Sequence, residues 1–96
     1  SGNRATFAYN LAKNDHVTID IYDWNMDYVC RIIDNVFRYA GSENPVGSGR
    51  SSVFSEDYWD GTFNNKNGKV VAPGVYYFKL STKKNGRSFG KIIVAR

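Results

Sequence analysis

Residues 16–23 alternate cleanly: Val17, Ile19 and Ile21 point one way and Thr18, Asp20 and Tyr22 the other, which predicts a strand with its aliphatic face inward and the rest outward. Residues 5–10 repeat the period, with Ala5, Phe7 and Tyr9 sharing a face. Asp23-Trp24-Asn25-Met26-Asp27 supplies turn-prone residues, and residues 28–33 resume an apolar run, so the second and third strands predict a hairpin. The facing of the return strand stays open, because Val29 and Ile33 share one face while Tyr28, Cys30 and Ile32 share the other. Residues 36–40 either extend that strand or make one helical turn. Residues 41–52 are Gly/Ser/Pro-rich and read as a mobile surface loop. Near the end of the chain, Asn85-Gly86 separates residues 75–81 from residues 87–96, predicting a closing hairpin. In its first arm Tyr76, Phe78 and Leu80 oppose Val75, Tyr77 and Lys79; in its second, Ile92 and Val94 oppose Lys91 and Ile93. Asn67-Gly68 and Pro73-Gly74 carry the residues that tight turns require.

Short strands with turn signals between them, no helical period and 96 residues point to an all-β fold. The architecture expected is an immunoglobulin-like β-sandwich of about seven antiparallel strands, one domain over residues 1–96. Composition agrees: 42% hydrophobic and 23% charged residues are globular values, and 16% aromatic residues suit pleated surfaces. No apolar run approaches the roughly 20 residues of a membrane-spanning helix. The start at Ser1-Gly2, with no Met and no secretory leader, reads as a piece of a larger protein, Ser1-Gly2 being open to explanation as a cloning remnant.

Charge is distributed unevenly. Residues 1–60 carry five basic and nine acidic side chains, residues 61–96 eight basic and none acidic, so a net −4 is followed by +8. The lysines are spread through strand-like and turn-like sequence rather than run together, and nucleic acid is not the expected partner.

Candidate chemistry is sparse. One cysteine, Cys30, excludes an internal disulfide, and with the single His16 it makes no zinc site; Cys30 reads as a small buried hydrophobe. No nucleophile signature or Gly-rich phosphate loop is present, so the chain is expected to be non-catalytic with no cofactor. Glu56, Asp57 and Asp60 imitate a carboxylate pair but read as a solvated edge. Asp23, Asn25 and Asp27 follow the opening of a calcium loop, with Asp34 at its twelfth place; Tyr28 stands where that loop needs Gly, and hairpin-turn chemistry accounts for the same residues. Aromatics are the stronger candidates for binding. Trp59 reads as core, whereas Trp24 at the hairpin tip and Tyr77 on the outward face of its strand are expected to be exposed, and with Tyr22 and Tyr28 they could form a binding patch.

Three stretches carry a family resemblance. Val17 to Asp23 with the following hairpin, then Trp59-Asp60-Gly61, then Asn67-Gly68 with Gly74-Val75-Tyr76 resemble the immunoglobulin-like domain of the flagellar hook-capping (FlgD-like) type, as found at the C-termini of secreted bacterial proteins. Met26 stands where that family usually has Gly. The basic, aliphatic residues 91–96 are similar to its last strand, and the likeness spans the chain except residues 36–58 and about two extra residues between Gly61 and Gly68. In such domains Trp59, Asp60, Gly61, Asn67, Gly68, Gly74 and Tyr76 would be structural: a core plug, turn formers and a strand opening. The resemblance implies an extracellular or cell-surface bacterial setting and a likeness to type IX secretion sorting domains. It implies an accessory module for attachment, sorting or spacing, a monomer within a larger chain. Its partners would be a cell-envelope component or the secretion machinery. Two other readings stand beside it: a carbohydrate-binding module tethered to a polysaccharide-degrading enzyme, using Trp24, Tyr28 and Tyr77, and a self-associating assembly subunit.

Overall fold

Alternating apolar positions produce strands throughout the computed structural model, which describes residues 5–40, 52–64 and 68–95. The strands are β1 (Ala5–Tyr9), β2 (Asp15–Asp23), β3 (Tyr28–Arg38), β4 (Ser52–Trp59), β5 (Gly74–Thr82) and β6 (Arg87–Val94). All pairings are antiparallel, in a two-stranded sheet β1-β4 and a four-stranded sheet β3-β2-β5-β6. The described residues thus hold six strands rather than about seven. Two local causes reduce the number. Residues 36–38 extend β3 instead of breaking it, and the segment after Trp59 forms only the isolated bridge Thr62–Val70, held by Val71 N–H to Gly61 O at 2.8 Å. No helix among the described residues is long and apolar enough to cross a membrane. Of the expected surface loop only Ser52 is described, as the first residue of β4; its other positions, like Asn67 and Ser1-Gly2, lie outside the described residues.

The aliphatic face of β2 lies at the centre of the core. Val17, Ile19 and Ile21 are fully buried, with Phe7, Trp59, Val71, Tyr76 and Leu80 around them. At about 1.5–3 kcal/mol for each such side chain, burial outweighs any single surface contact in this protein. The inward parity of β5 and β6 is as expected: Tyr76 and Leu80 are buried, and Phe78, Ile92 and Val94 pack against the core. Trp59 does plug the core. Its ring meets Tyr76 edge-on at 5.2 Å, and its Nε1 donates to Thr62 O at 2.8 Å. Asp60 Oδ1 accepts the N–H and hydroxyl of Thr62, which shapes the turn through Gly61 (φ 82°), where only glycine fits without strain. The Tyr76 hydroxyl donates to Ala72 O at 2.6 Å, fixing the approach to β5.

The open facing of β3 has a physical answer. Opposite β2 the strand carries three one-residue irregularities, between the pairs Val17–Val36 and Ile19–Ile33, Ile19–Ile33 and Asp20–Arg31, and Ile21–Cys30 and Tyr22–Tyr28. Each adds a residue to β3 and resets its parity. Cys30 and Ile33 therefore pair inward while Ile32, out of phase with Ile33, is buried as well. At the first irregularity Asn35 has φ 55°, a conformation asparagine tolerates, and its N–H donates to Thr18 Oγ1.

Two buried polar networks join distant parts of the chain. Asp57, expected on a solvated edge, is instead wholly buried: its carboxylate accepts the Tyr9 hydroxyl at 2.6 Å and Arg38 Nη2 at 3.1 Å, and Arg38 Nε also donates to the Tyr9 oxygen. The pair joins β4 to β3 at a buried position, where a lone carboxylate would be excluded and a partnered one is tolerated. The phenol of Tyr9 is pushed far above its ordinary range, first by burial and then by the Asp57 hydrogen bond, so it stays protonated and keeps its hydrogen for that carboxylate. In the second network, buried Asp15 at the start of β2 accepts the backbone N–H groups of His16, Lys83, Lys84 and Asn85 and the side-chain amide of Asn85. Asn85 Oδ1 in turn accepts the N–H groups of Ala12 and Lys13, so the β5–β6 turn is tied to the β1–β2 connection. Gly86 (φ 82°) completes that turn.

Gly90 on β6 faces Phe78, its partner in register, and a Cβ there would overlap Cε2 and Cζ of that ring. The ring also meets Phe7 edge-on at 5.1 Å. Gly90→Ala is expected to lower stability by about 1–3 kcal/mol through overpacking. Urea unfolding checks this, and an unchanged midpoint would show that Phe78 has room to move.

Candidate functional site

The outward faces of β3, β2, β5 and β6 form one surface, and the pairing fixes its layout. Tyr28, Tyr22, Tyr77 and Lys91 follow one another across the four strands, and in the next row stand Arg31, Asp20, Lys79 and Phe89. Neighbouring strands lie about 4.8 Å apart, so each row is roughly 14 Å long. Tyr28 and Phe89 are 59% and 58% exposed, and Ile93, two residues beyond Lys91, is 64% exposed. Three large apolar side chains on one sheet face exceed what an isolated surface residue would explain.

Within this surface, Tyr28 packs edge-on to Tyr22 with ring centres 6.1 Å apart, and Lys79 Nζ stands 5.7 Å from the centre of the Tyr22 ring. Tyr22 is half-buried between Tyr28 and Lys79, and Tyr77 beside it is half-buried too, so Tyr28 and Phe89 are the most exposed rings of the face. Asp20, expected outward, does face outward but is only 3% exposed. Arg31 covers it, with Nε at 2.7 Å from one carboxylate oxygen and Nη2 at 3.4 Å from the other; Arg31 also reaches Asp34 at 3.4 Å. The hydrogen bond to Asp20 raises the Arg31 pKa, and loss of hydration followed by the Asp20 charge raises that of Tyr28. Both keep their neutral-pH states, a cation and a neutral phenol.

Of the residues expected to bind, Tyr28 and Tyr77 share this face, on either side of Tyr22. Trp24 does not join them. It is 73% exposed at the β2–β3 turn and lines a separate hollow of about 260 Å³ with Phe63, Pro73 and Tyr76. The turn itself is organised by Asp23, whose Oδ1 accepts the N–H groups of Asn25 and Asp27, both at 2.9 Å, while Met26 takes the left-handed conformation (φ 65°) that a glycine would adopt freely. Asp23 here serves the backbone, and Asp34 turns to Arg31; no group of three or more His, Cys, Asp or Glu suited to a metal ion occurs among the described residues. Lys79 and Lys91 were legible as outward positions but did not stand out, because one strand's parity says nothing about which residues lie beside it; Phe89 was not singled out. A second aromatic group at the far end of the face, His16, Phe37 and Tyr39, depends on the β3 extension: Phe37 meets His16 at 5.5 Å and Tyr39 at 5.1 Å, both edge-on. Comparison of the chain with family models gives no match, and neither does comparison with curated proteins.

Proposed function

We propose that this chain is a non-catalytic accessory module, an immunoglobulin-like sandwich of the hook-capping type, from a secreted or cell-surface bacterial multidomain protein, and that it serves attachment through the outer face of its four-stranded sheet. The observation that carries the reading is the cross-strand row Tyr28–Tyr22–Tyr77–Lys91, beside exposed Phe89 and Ile93. Rigid aromatic side chains on a sheet offer contact area at little entropic cost, which suits docking onto an envelope component. Sorting or spacing are the roles that remain if the face binds nothing.

Retention of the purified chain on bacterial envelope fractions and insoluble polysaccharides, at low and high salt, tests this. The double substitution Tyr28→Ala/Tyr77→Ala is expected to reduce retention at least about tenfold, equivalent to about 1.4 kcal/mol, with the melting temperature little changed because both rings lie outside the core. Equal retention of the parent and the double variant would remove this face from the function.

A further inference from the structure

We propose that the ligand of the outer face is an acidic polysaccharide, one whose sugar units carry carboxylates; this rests on the attachment reading above and names its partner. The decisive arrangement is on β5 and β6, where Tyr77 pairs with Lys91 and Lys79 with Phe89. Aromatic rings occupy one diagonal of this square and ammonium groups the other, and diagonal neighbours on a sheet are about 7–8 Å apart. Arg87, paired with Ser81, adds a further cation along the same strand. Among the described residues Lys79, Lys91 and Arg87 form no ion pair, and the carboxylate beside Lys79, that of Asp20, is occupied by Arg31. Three cations without a carboxylate partner, interleaved with ring faces, fit a ligand that repeats an apolar ring face and a negative group along its length.

A sugar acid supplies both, and it brings hydroxyl donors as well. A single-stranded nucleic acid would also present rings and anions, so oligothymidylate is one arm of the test.

The test uses the 96-residue chain in affinity electrophoresis with polygalacturonate, its fully methyl-esterified form, and single-stranded oligothymidylate. Polygalacturonate is expected to retard the protein at least about tenfold more strongly than the ester, which keeps the sugar and removes the charge. Lys79→Gln/Lys91→Gln should weaken binding to the acid about tenfold or more and so narrow its advantage over the ester, and Tyr77→Ala should weaken both; these positions lie outside the core, and thermal melting confirms folding. Equal retardation by acid and ester, or stronger retardation by oligothymidylate, overturns the proposal. So does failure to bind polygalacturonate: if envelope retention then persists and depends on Tyr28 and Tyr77, the attachment reading survives alone, and if it is absent both fail.

Discussion

Arg38→Met is expected to destabilise the protein by about 3–5 kcal/mol, the largest effect of any single substitution considered, because it strands a buried carboxylate. Asp57 is fully buried, and its hydrogen-bond partners are Tyr9 and Arg38; without the guanidinium only the Tyr9 hydroxyl would remain. The loss should come from the orphaned charge more than from the pair itself, since desolvating both ions offsets most of their attraction. The double variant Arg38→Met/Asp57→Leu should accordingly recover most of the stability lost. Chemical denaturation of parent, single and double variants measures this. A loss below about 1 kcal/mol in the single variant, or no recovery in the double, would show that water reaches Asp57.

Asp15→Asn is expected to cost about 2–4 kcal/mol and to flatten the acid limb of the stability curve. Burial by itself would raise the Asp15 pKa, but donors from Lys84 N–H, the Asn85 side chain, His16 N–H and Lys83 N–H outweigh it and hold the carboxyl well below the usual carboxylate range. An amide in its place would keep one acceptor and turn two N–H bonds toward donors. Because the folded-state pKa is depressed below the unfolded value of about 3.9, the stabilisation is complete above about pH 5 and is lost as the pH falls toward the folded value. Parent stability should therefore decline between about pH 5 and pH 2, with a smaller slope in Asp15→Asn. Parallel slopes over that window would assign the acid sensitivity to other carboxylates.

Both networks show where sequence reading stops. The strands β1, β2, β5 and β6 and their inward faces were legible because a period of two directly reports a half-buried strand, and Trp59 was legible as core from its place before a turn. The polar residues were not. Asp15, Asp20 and Asp57 look solvent-facing by type, and each is buried by a partner 11 to 70 positions away, Arg31 for Asp20, Tyr9 and Arg38 for Asp57, Asn85 for Asp15. Nothing local announces such a partner. The facing of β3 was ambiguous for a related reason: alternation is a property of an unbroken ladder, and three inserted residues break it. On the candidate site, the tyrosines could be assigned to an outer face one strand at a time, but the square of Tyr77, Lys91, Lys79 and Phe89 exists only once β5 and β6 are in register. Trp24, expected to be exposed for its place at a hairpin tip, is exposed and lines a hollow with Phe63, Pro73 and Tyr76.

The three irregularities of β3 also bear on how the chain finds its fold. A regular strand can pair two residues out of place and still send its apolar side chains inward, so slipped hairpins compete with the native one. Here the side-chain parity changes three times along a single strand, and a shifted pairing would set inward residues of β3 against outward residues of β2 in at least one section. The spacing works like the wards of a key. Only one alignment of β2 and β3 satisfies all the sections, and a chain that closes this hairpin from its Asp23 turn meets a check on its alignment every few residues.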